Sequence, residues 1–376
     1  MKNISLFFST IFVIGIVWYV SINFNIVIFA PMAVLLIIYI YEGTFRLDSE
    51  YIAISFYVLA IFIFWAILNI TAYNQYDDYI ASRFLKISIF SFLVMFFTFL
   101  FYNDREEFLA KSIDNAILVI VILWWVQFIV YYSSGEYLDY LNYVSSRTSR
   151  YQAYWIQASL PIQPIRPTSI FVEPGTYAVN TFPLLALSYT YHKRVTPLHV
   201  VLLVSYFFSI SLFAILIGIL FITATQLYTF EFRWSKKNIF LLFLFSLLFL
   251  GLSWYLYFRF VVQGGTDQVG YREDVIGFWL SLSSHDMVFG QGMAQVVIPN
   301  RAMIEDASFL FRIFFDYGFF SIPYLLLLFY VSFGFPIVFV LIMLITKIGY
   351  TLYIMWFYIA AMAILNKDRR RGREDI

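Results

Sequence analysis

The sequence predicts an all-α polytopic membrane protein of about 12 transmembrane helices, with two large connections on one face. Three observations predict it. Hydrophobic residues make up 62% of the 376 and charged residues only 12%, where a soluble domain carries roughly 25% charged and 45–50% apolar residues. The apolar residues fall in runs of about 20, the length of a helix that crosses a hydrocarbon core. Lys and Arg gather between particular runs and at the C-terminal end, the pattern that sets orientation. The same composition excludes a soluble enzyme and a disordered chain. A net charge of +1 gives no reason to expect nucleic acid. The absence of Cys removes disulfides, thiolate catalysis and Cys-based metal sites.

Runs near 1–20, 23–41, 51–72, 84–102 and 113–133 read as the first five spans. The first has no small-residue cleavage site after it, so it is expected to be retained. A polar stretch covers 134–172. A span over 174–191 follows and ends in His192-Lys193-Arg194. The next run, 197–228, is long enough for one long helix or two short ones. Lys193 and Arg194 precede it, and Arg233, Lys236 and Lys237 follow it. Basic flanks stay on the cytoplasmic side, so the crossings between them are even. The run is therefore split near Ser209 and Ser211. A span over 239–258 leads to a second polar stretch, 259–306. Three more spans, 308–332, 334–347 and 349–365, precede the basic tail from Lys367 to Arg373. Both termini are expected in the cytoplasm, both polar stretches outside, and residues 1–376 form a single membrane domain.

The outward stretches are rich in one cation. Arg147, Arg150 and Arg166 lie in the first, and Arg259, Arg272, Arg301 and Arg312 in or just after the second. Neither holds a Lys, although the chain has eight. The planar guanidinium binds phosphate oxygens in pairs, which an ammonium cannot do. Arg166, Arg272, Arg301 and Arg312 are thus candidates for holding a phosphate-bearing lipid, against the plainer reading of arginines reaching outer headgroups.

Other residues gain meaning from position. Pro174 suits the first turn of a helix, which puts Glu173 at its positive end, as a cap or as a partner of Arg166 or a sugar hydroxyl. His285 is the one His expected outside; without neighbouring His or Cys it does not suggest a metal. Gly290 and Gly292 read as a turn. Arg301, Glu305, Ser308, Arg312 and Asp316 follow steps of three and four, which stack them on one helix face. Arg312 and Asp316 would enter the membrane there, where an ionisable residue is a functional candidate unless the two pair with each other. Tyr, with 30 copies, and Trp, with 9, mark interfacial belts in many places. The aromatic cluster from Tyr131 to Trp155 is different, because it runs into the first outer stretch. Tyr151, Tyr154, Trp155 and, in the second stretch, Tyr271 are candidates for stacking on sugar rings.

Three segments together resemble the Wzy-type O-antigen or polysaccharide-repeat polymerases, relatives of the O-antigen ligases. They are RPTSIFVEPGTYA from Arg166, REDVIGFW from Arg272 with the later MVFGQG, and EDASFLFRIFFDYG from Glu305. The resemblance implies a GT-C-like, metal-independent glycosyltransferase without a cofactor, in the plasma (inner) membrane of a bacterium. Its substrates would be undecaprenyl-pyrophosphate-linked glycans drawn from the bilayer, and a chain-length regulator is an open question as a partner. In the ligases a His stands where Asp306 stands here. That difference favours polymerase over ligase and makes Asp306 the first candidate base, ahead of Glu173 and His285. A flippase or transporter of lipid-linked oligosaccharides, and an O-antigen ligase, remain the alternatives.

Overall fold

The computed structural model describes residues 2–22, 25–43, 47–71, 78–152, 164–229, 277–278, 280–292 and 308–367. Among them every regular element is helical. The expected span at 239–258 lies outside the described residues, as do Arg272, Arg301, Asp306, Tyr154, Trp155 and Tyr271.

The chain opens with a hairpin of α1 (Lys2–Ile22) and α2 (Ile26–Glu42). Gly15 lets the two backbones meet: a Cβ there would stand 2.3 Å from the Val27 carbonyl oxygen. α2 stops at Gly43, whose φ of 65° is left-handed and suits a residue without a side chain. α3 (Ser49–Thr71), α4 (Asp78–Tyr102) and α5 (Glu106–Ser134) follow. Each contains a stretch long and apolar enough to cross a membrane. Ile63, Ile67, Ile70, Leu118, Ile122 and Ile129 are exposed along α3 and α5, an outer surface suited to lipid rather than water.

A short α6 (Tyr140–Ser145) lies in the first polar stretch, capped by Asp139. α7 (Pro174–His192) begins with proline in its first turn. α8 (Pro197–Phe208) begins with a capping box, in which Thr196 and His199 each bond the other's backbone N–H. α8 and α9 (Leu212–Thr229) are separated at residues 209–211, the division that the basic flanks suggested. α9 folds back along α8. The α-carbon of Gly218 faces the Phe207 ring, and Phe221 lies 6.4 Å from the His199 ring.

Past α10 (Ser284–Phe289), the last three expected spans are less regular than the sequence suggested. Phe309–Val331 is one membrane-length unit, but it consists of α11 (Phe309–Tyr317), a 3-10 turn (Gly318–Ser321) and α12 (Ile322–Val331). The runs at 334–347 and 349–365 yield only α13 (Ile337–Leu344) and α14 (Tyr353–Leu365), with non-helical backbone over 345–352. Tertiary bonds draw that backbone out of the helix. The Thr346 carbonyl accepts from Phe309 N at 2.6 Å, and the Tyr350 carbonyl accepts from Trp356 Nε1 at 2.7 Å. α14 is buried along its whole length and packs against α4 and α7, as befits a helix that is apolar all round.

The bundle has two distinct poles. At one, Lys367 bridges Asp48 (3.2 Å) and Asp104 (3.1 Å), Arg105 pairs with Glu42 (3.2 Å), and Asn366 donates to the carbonyls of Val331 and Phe333. Here α1 begins and α14 ends. At the other pole lies the first polar stretch, where Arg147 donates to the Ser21 carbonyl at the end of α1 (2.9 Å).

α10 is docked on α11 by a reciprocal pair of glycines. A Cβ on Gly290 would stand 2.4 Å from Tyr317 N, and one on Gly318 2.5 Å from the carbonyls of Met287 and Val288. Both have positive φ. Next to them, Gln291 N and Gly292 N donate to the carbonyls of Phe315 and Asp316, each at 2.8 Å. Gly290 and Gly292 thus form a backbone clasp on α11, a larger role than a turn. Gly290→Ala is expected to lower stability by roughly 2 kcal/mol or more, because the atoms it meets are backbone and cannot move aside. Thermal unfolding in detergent measures this, and a variant as stable as the parent would refute the clasp.

Candidate functional site

The first group of candidates stands at the loop pole, on α5 and α7. α5 holds the chain there through two side chains, Trp124 and Gln127, and the backbone carbonyl of Ile120. Trp124 Nε1 donates to the Pro167 carbonyl (2.9 Å). Fully buried Gln127 donates from Nε2 to the carbonyls of Leu138 (2.7 Å) and Ser169 (3.0 Å). Its Oε1 accepts from the backbone N–H of Thr168 (3.1 Å) and Ser169 (2.7 Å). Ser169, held at a left-handed φ of 54°, donates its hydroxyl to the Ile120 carbonyl. Non-glycine residues adopt that conformation at a cost of about 1 kcal/mol, which these bonds offset.

This anchor aims Arg166. Its backbone N–H donates to the Tyr151 carbonyl (2.7 Å), beside an antiparallel bridge between Gln152 and Ile165. Its Nη2 donates to the carbonyls of Arg150 (3.1 Å) and Gln152 (2.8 Å). Arg150 Nη1 in turn lies 3.8 Å from Glu173 Oε2. That pair is open to water and contributes about 0–1 kcal/mol, so its effect is to orient charge. Glu173 is the N-cap residue of α7, but its carboxylate caps no helix N–H; it accepts from the Thr176 hydroxyl at 3.4 Å. The structure therefore brings Arg166 and Glu173 to one corner with Arg150 between them, and leaves the carboxylate facing outward.

Tyr151 stacks on Tyr137, with centroids 3.8 Å apart and planes 9° from parallel. One face of the Tyr151 ring is thereby covered, and only the other is open to a sugar. The Tyr137 hydroxyl shares a hydrogen bond with Thr168 Oγ1 (3.0 Å). Burial pushes its pKa up to about 12, so it stays neutral.

The second group stands on α10 and α11. His285 is exposed at the start of α10, 3.7 Å from Asp286 Oδ1 and against the Phe289 ring. Arg312 and Asp316 are one turn apart on α11, yet they do not pair. Asp316 is buried and accepts from the Tyr350 hydroxyl at 2.6 Å. The Arg312 guanidinium lies instead against residue 349, where a Cβ would be 2.9 Å from Nη1. Trp65 and Tyr317 stack at 4.0 Å beside Tyr350 and form the apolar side of this cluster. Tyr350 carries no sequence signal, because its partner lies 34 residues away. Gln127 does carry one, as a single amide within the apolar stretch of α5.

A third polar cluster lies between α5, α7 and α8. Ser188 Oγ bridges Asp114 Oδ1 (2.5 Å) and His199 Nε2 (2.7 Å), and His192 Nε2 meets Asp114 Oδ2 (2.8 Å). Thr196 N donates to His199 Nδ1, so Nε2 carries the proton and donates to Ser188, which donates to Asp114. With Ser188 and His199 fully buried, this cluster clamps three helices. Among the described residues no three His, Asp or Glu side chains converge in a metal-ligand arrangement. No family model, curated protein or solved structure matches the chain.

Proposed function

We propose that this protein is a metal-independent glycosyltransferase that polymerises lipid-diphosphate-linked oligosaccharide repeats at the outer face of a bacterial plasma membrane. The observation that carries the reading is the placement of Arg312. It lies on α11, within the membrane-length unit Phe309–Val331, and the Asp316 carboxylate one turn away accepts from Tyr350 and makes no ion pair with it. A charge kept at that depth suits an anionic ligand. Arg166, fixed by backbone carbonyls beside Arg150 and Glu173, adds a second oriented guanidinium at the pole where glycan would sit. The fold proposed with this function has about 12 spans, a GT-C-like plan, and both termini in the cytoplasm.

In the proposed reaction, a carboxylate or imidazole takes the proton from the acceptor sugar hydroxyl, with Asp306 first, Glu173 second and His285 third among the candidates. The hydroxyl oxygen forms its bond to the anomeric carbon of the growing chain. The bond from that carbon to the lipid diphosphate breaks, and its electron pair leaves on the diphosphate oxygen. Arg166, Arg272, Arg301 and Arg312 stabilise that departing charge. Tyr151, Tyr154, Trp155 and Tyr271 hold the sugars.

Purified protein in liposomes, given lipid-linked repeats already on the outer leaflet, is expected to lengthen glycan, and Arg166→Ala to stop at short products. Movement of label across the bilayer without lengthening would establish a flippase instead. Transfer to another lipid without repeat addition would establish a ligase.

A further inference from the structure

We infer that the groove between α1 and α2 binds one anionic phospholipid from the leaflet at the loop pole, with an acyl chain along the groove and the phosphate on Arg147. The inference does not depend on the proposed reaction.

The groove has a volume of about 410 Å³. Phe8, Gly15 and Trp18 of α1 and Ile26, Ala30 and Val34 of α2 are among its lining residues, all of which are apolar or glycine. Ile26 is 71% exposed and Ala30 is exposed too, so the groove opens sideways, toward lipid. From Phe8 to Trp18 the chain climbs ten residues, about 15 Å of helix. That is half of a hydrocarbon core about 30 Å thick. The groove is thus one leaflet deep, the reach of a single acyl chain.

Its end at the loop pole changes character. Trp18 lines the groove, and its Nε1 is buried with no hydrogen-bond partner among the described residues. Ser21 continues the Trp18 face by a step of three; it is fully buried and its hydroxyl is likewise unpartnered. Asn25, the N-cap residue of α2, has a buried and unpartnered Oδ1. Buried polar atoms are nearly always bonded, so three orphans within eight residues mark a place built for a polar partner. Ester carbonyls accept from an indole N–H and a hydroxyl, and a headgroup hydroxyl donates to an amide oxygen. A transmembrane helix in the groove would satisfy its own backbone, whereas a phospholipid brings acceptors to this end.

A cation stands there as well. Exposed Arg147 donates from Nη1 to the Ser21 carbonyl at 2.9 Å, one turn beyond Trp18. A guanidinium carries five N–H donors, and a phosphate can take those that Ser21 does not. α6 packs against α1 just before Arg147, with Tyr143 74% and Val144 51% exposed. An amphipathic edge of this kind suits the headgroup level of a membrane.

The test uses the full chain, delipidated in detergent and titrated with dioleoyl phosphatidylglycerol or dioleoyl phosphatidylcholine under native mass spectrometry. One phosphatidylglycerol is expected to bind about tenfold or more tighter than phosphatidylcholine. Arg147→Gln keeps a donor for the Ser21 carbonyl but removes the charge, and is expected to erase that preference. Ala30→Trp fills the groove from its open edge and is expected to weaken both lipids about threefold or more. In the unsubstituted chain, phosphatidylglycerol with a photoreactive diazirine on its acyl chain is expected to label residues 8–18 and 26–34, a readout independent of whether the variants fold. Equal affinity for the two lipids, a preference that survives Arg147→Gln, unchanged binding in Ala30→Trp, or label spread evenly over α3 and α5 overturns the site. A benzophenone side chain placed at Ile26 is expected to capture lipid, and its capture of a second copy of the chain instead also overturns the site.

Discussion

Gln127→Leu is expected to be the most damaging single change outside the charged residues. Leucine keeps the volume and removes all four bonds. The N–H groups of Thr168 and Ser169 and the Ser169 carbonyl then remain buried without that partner, and the half-buried Leu138 carbonyl loses it too. Each such group costs about 1–3 kcal/mol, so the loss is roughly 4 kcal/mol or more. The left-handed turn at Ser169 also loses its main restraint. Arg166 sits three residues upstream, and the expected outcome is a protein that inserts, unfolds at lower temperature, exchanges amides rapidly over 164–172, and makes only short products. A thermal midpoint within about 2 °C of the parent would show that α5 does not anchor this stretch.

Arg312→Ala is expected to have the largest effect on activity with little effect on insertion. If the guanidinium stabilises a departing diphosphate, its removal lowers the rate by roughly 100- to 1,000-fold. Arg312→Lys restores charge without the fork and is expected to fall between the two. Glycan ladders on gels, normalised to the amount of protein in the membrane, measure both. A normal ladder from Arg312→Ala would remove this residue from the site.

The helical, membrane-embedded class was legible in composition and in the lengths of the apolar runs, because lipid constrains both. The division of 197–228 was legible in the basic residues on either side. The division between the runs 334–347 and 349–365 was legible too, but the extent of non-helical backbone over 345–352 was not, since Phe309, a distant donor, helps draw it out of the helix. Lys347 and Gly349 were its only marks in the sequence. The spacing of Arg312 and Asp316 correctly put them on one helix, but spacing cannot reveal that Tyr350 occupies the carboxylate. Pro174 located Glu173 at a helix start, and only the structure shows that Glu173 turns toward Arg150 rather than capping. Likewise Gly290 read as a local turn because its counterpart, Gly318, lies across a tertiary contact.

The position of α14 has a consequence for biogenesis. Every helix it packs against, α4 and α7 above all, precedes it in the chain. Synthesis from the N-terminus therefore produces the walls before the piece that fills them. Until residues 353–365 arrive, the slot between α4 and α7 must be held by lipid, by the insertion machinery or by a partial collapse that can reopen. The same later segment brings Tyr350 to Asp316, so the environment of Arg312 is completed only after the helices that surround it have been made. A nascent chain would carry its arginines early but could surround Arg312 with its final neighbours only after its most buried helix had docked.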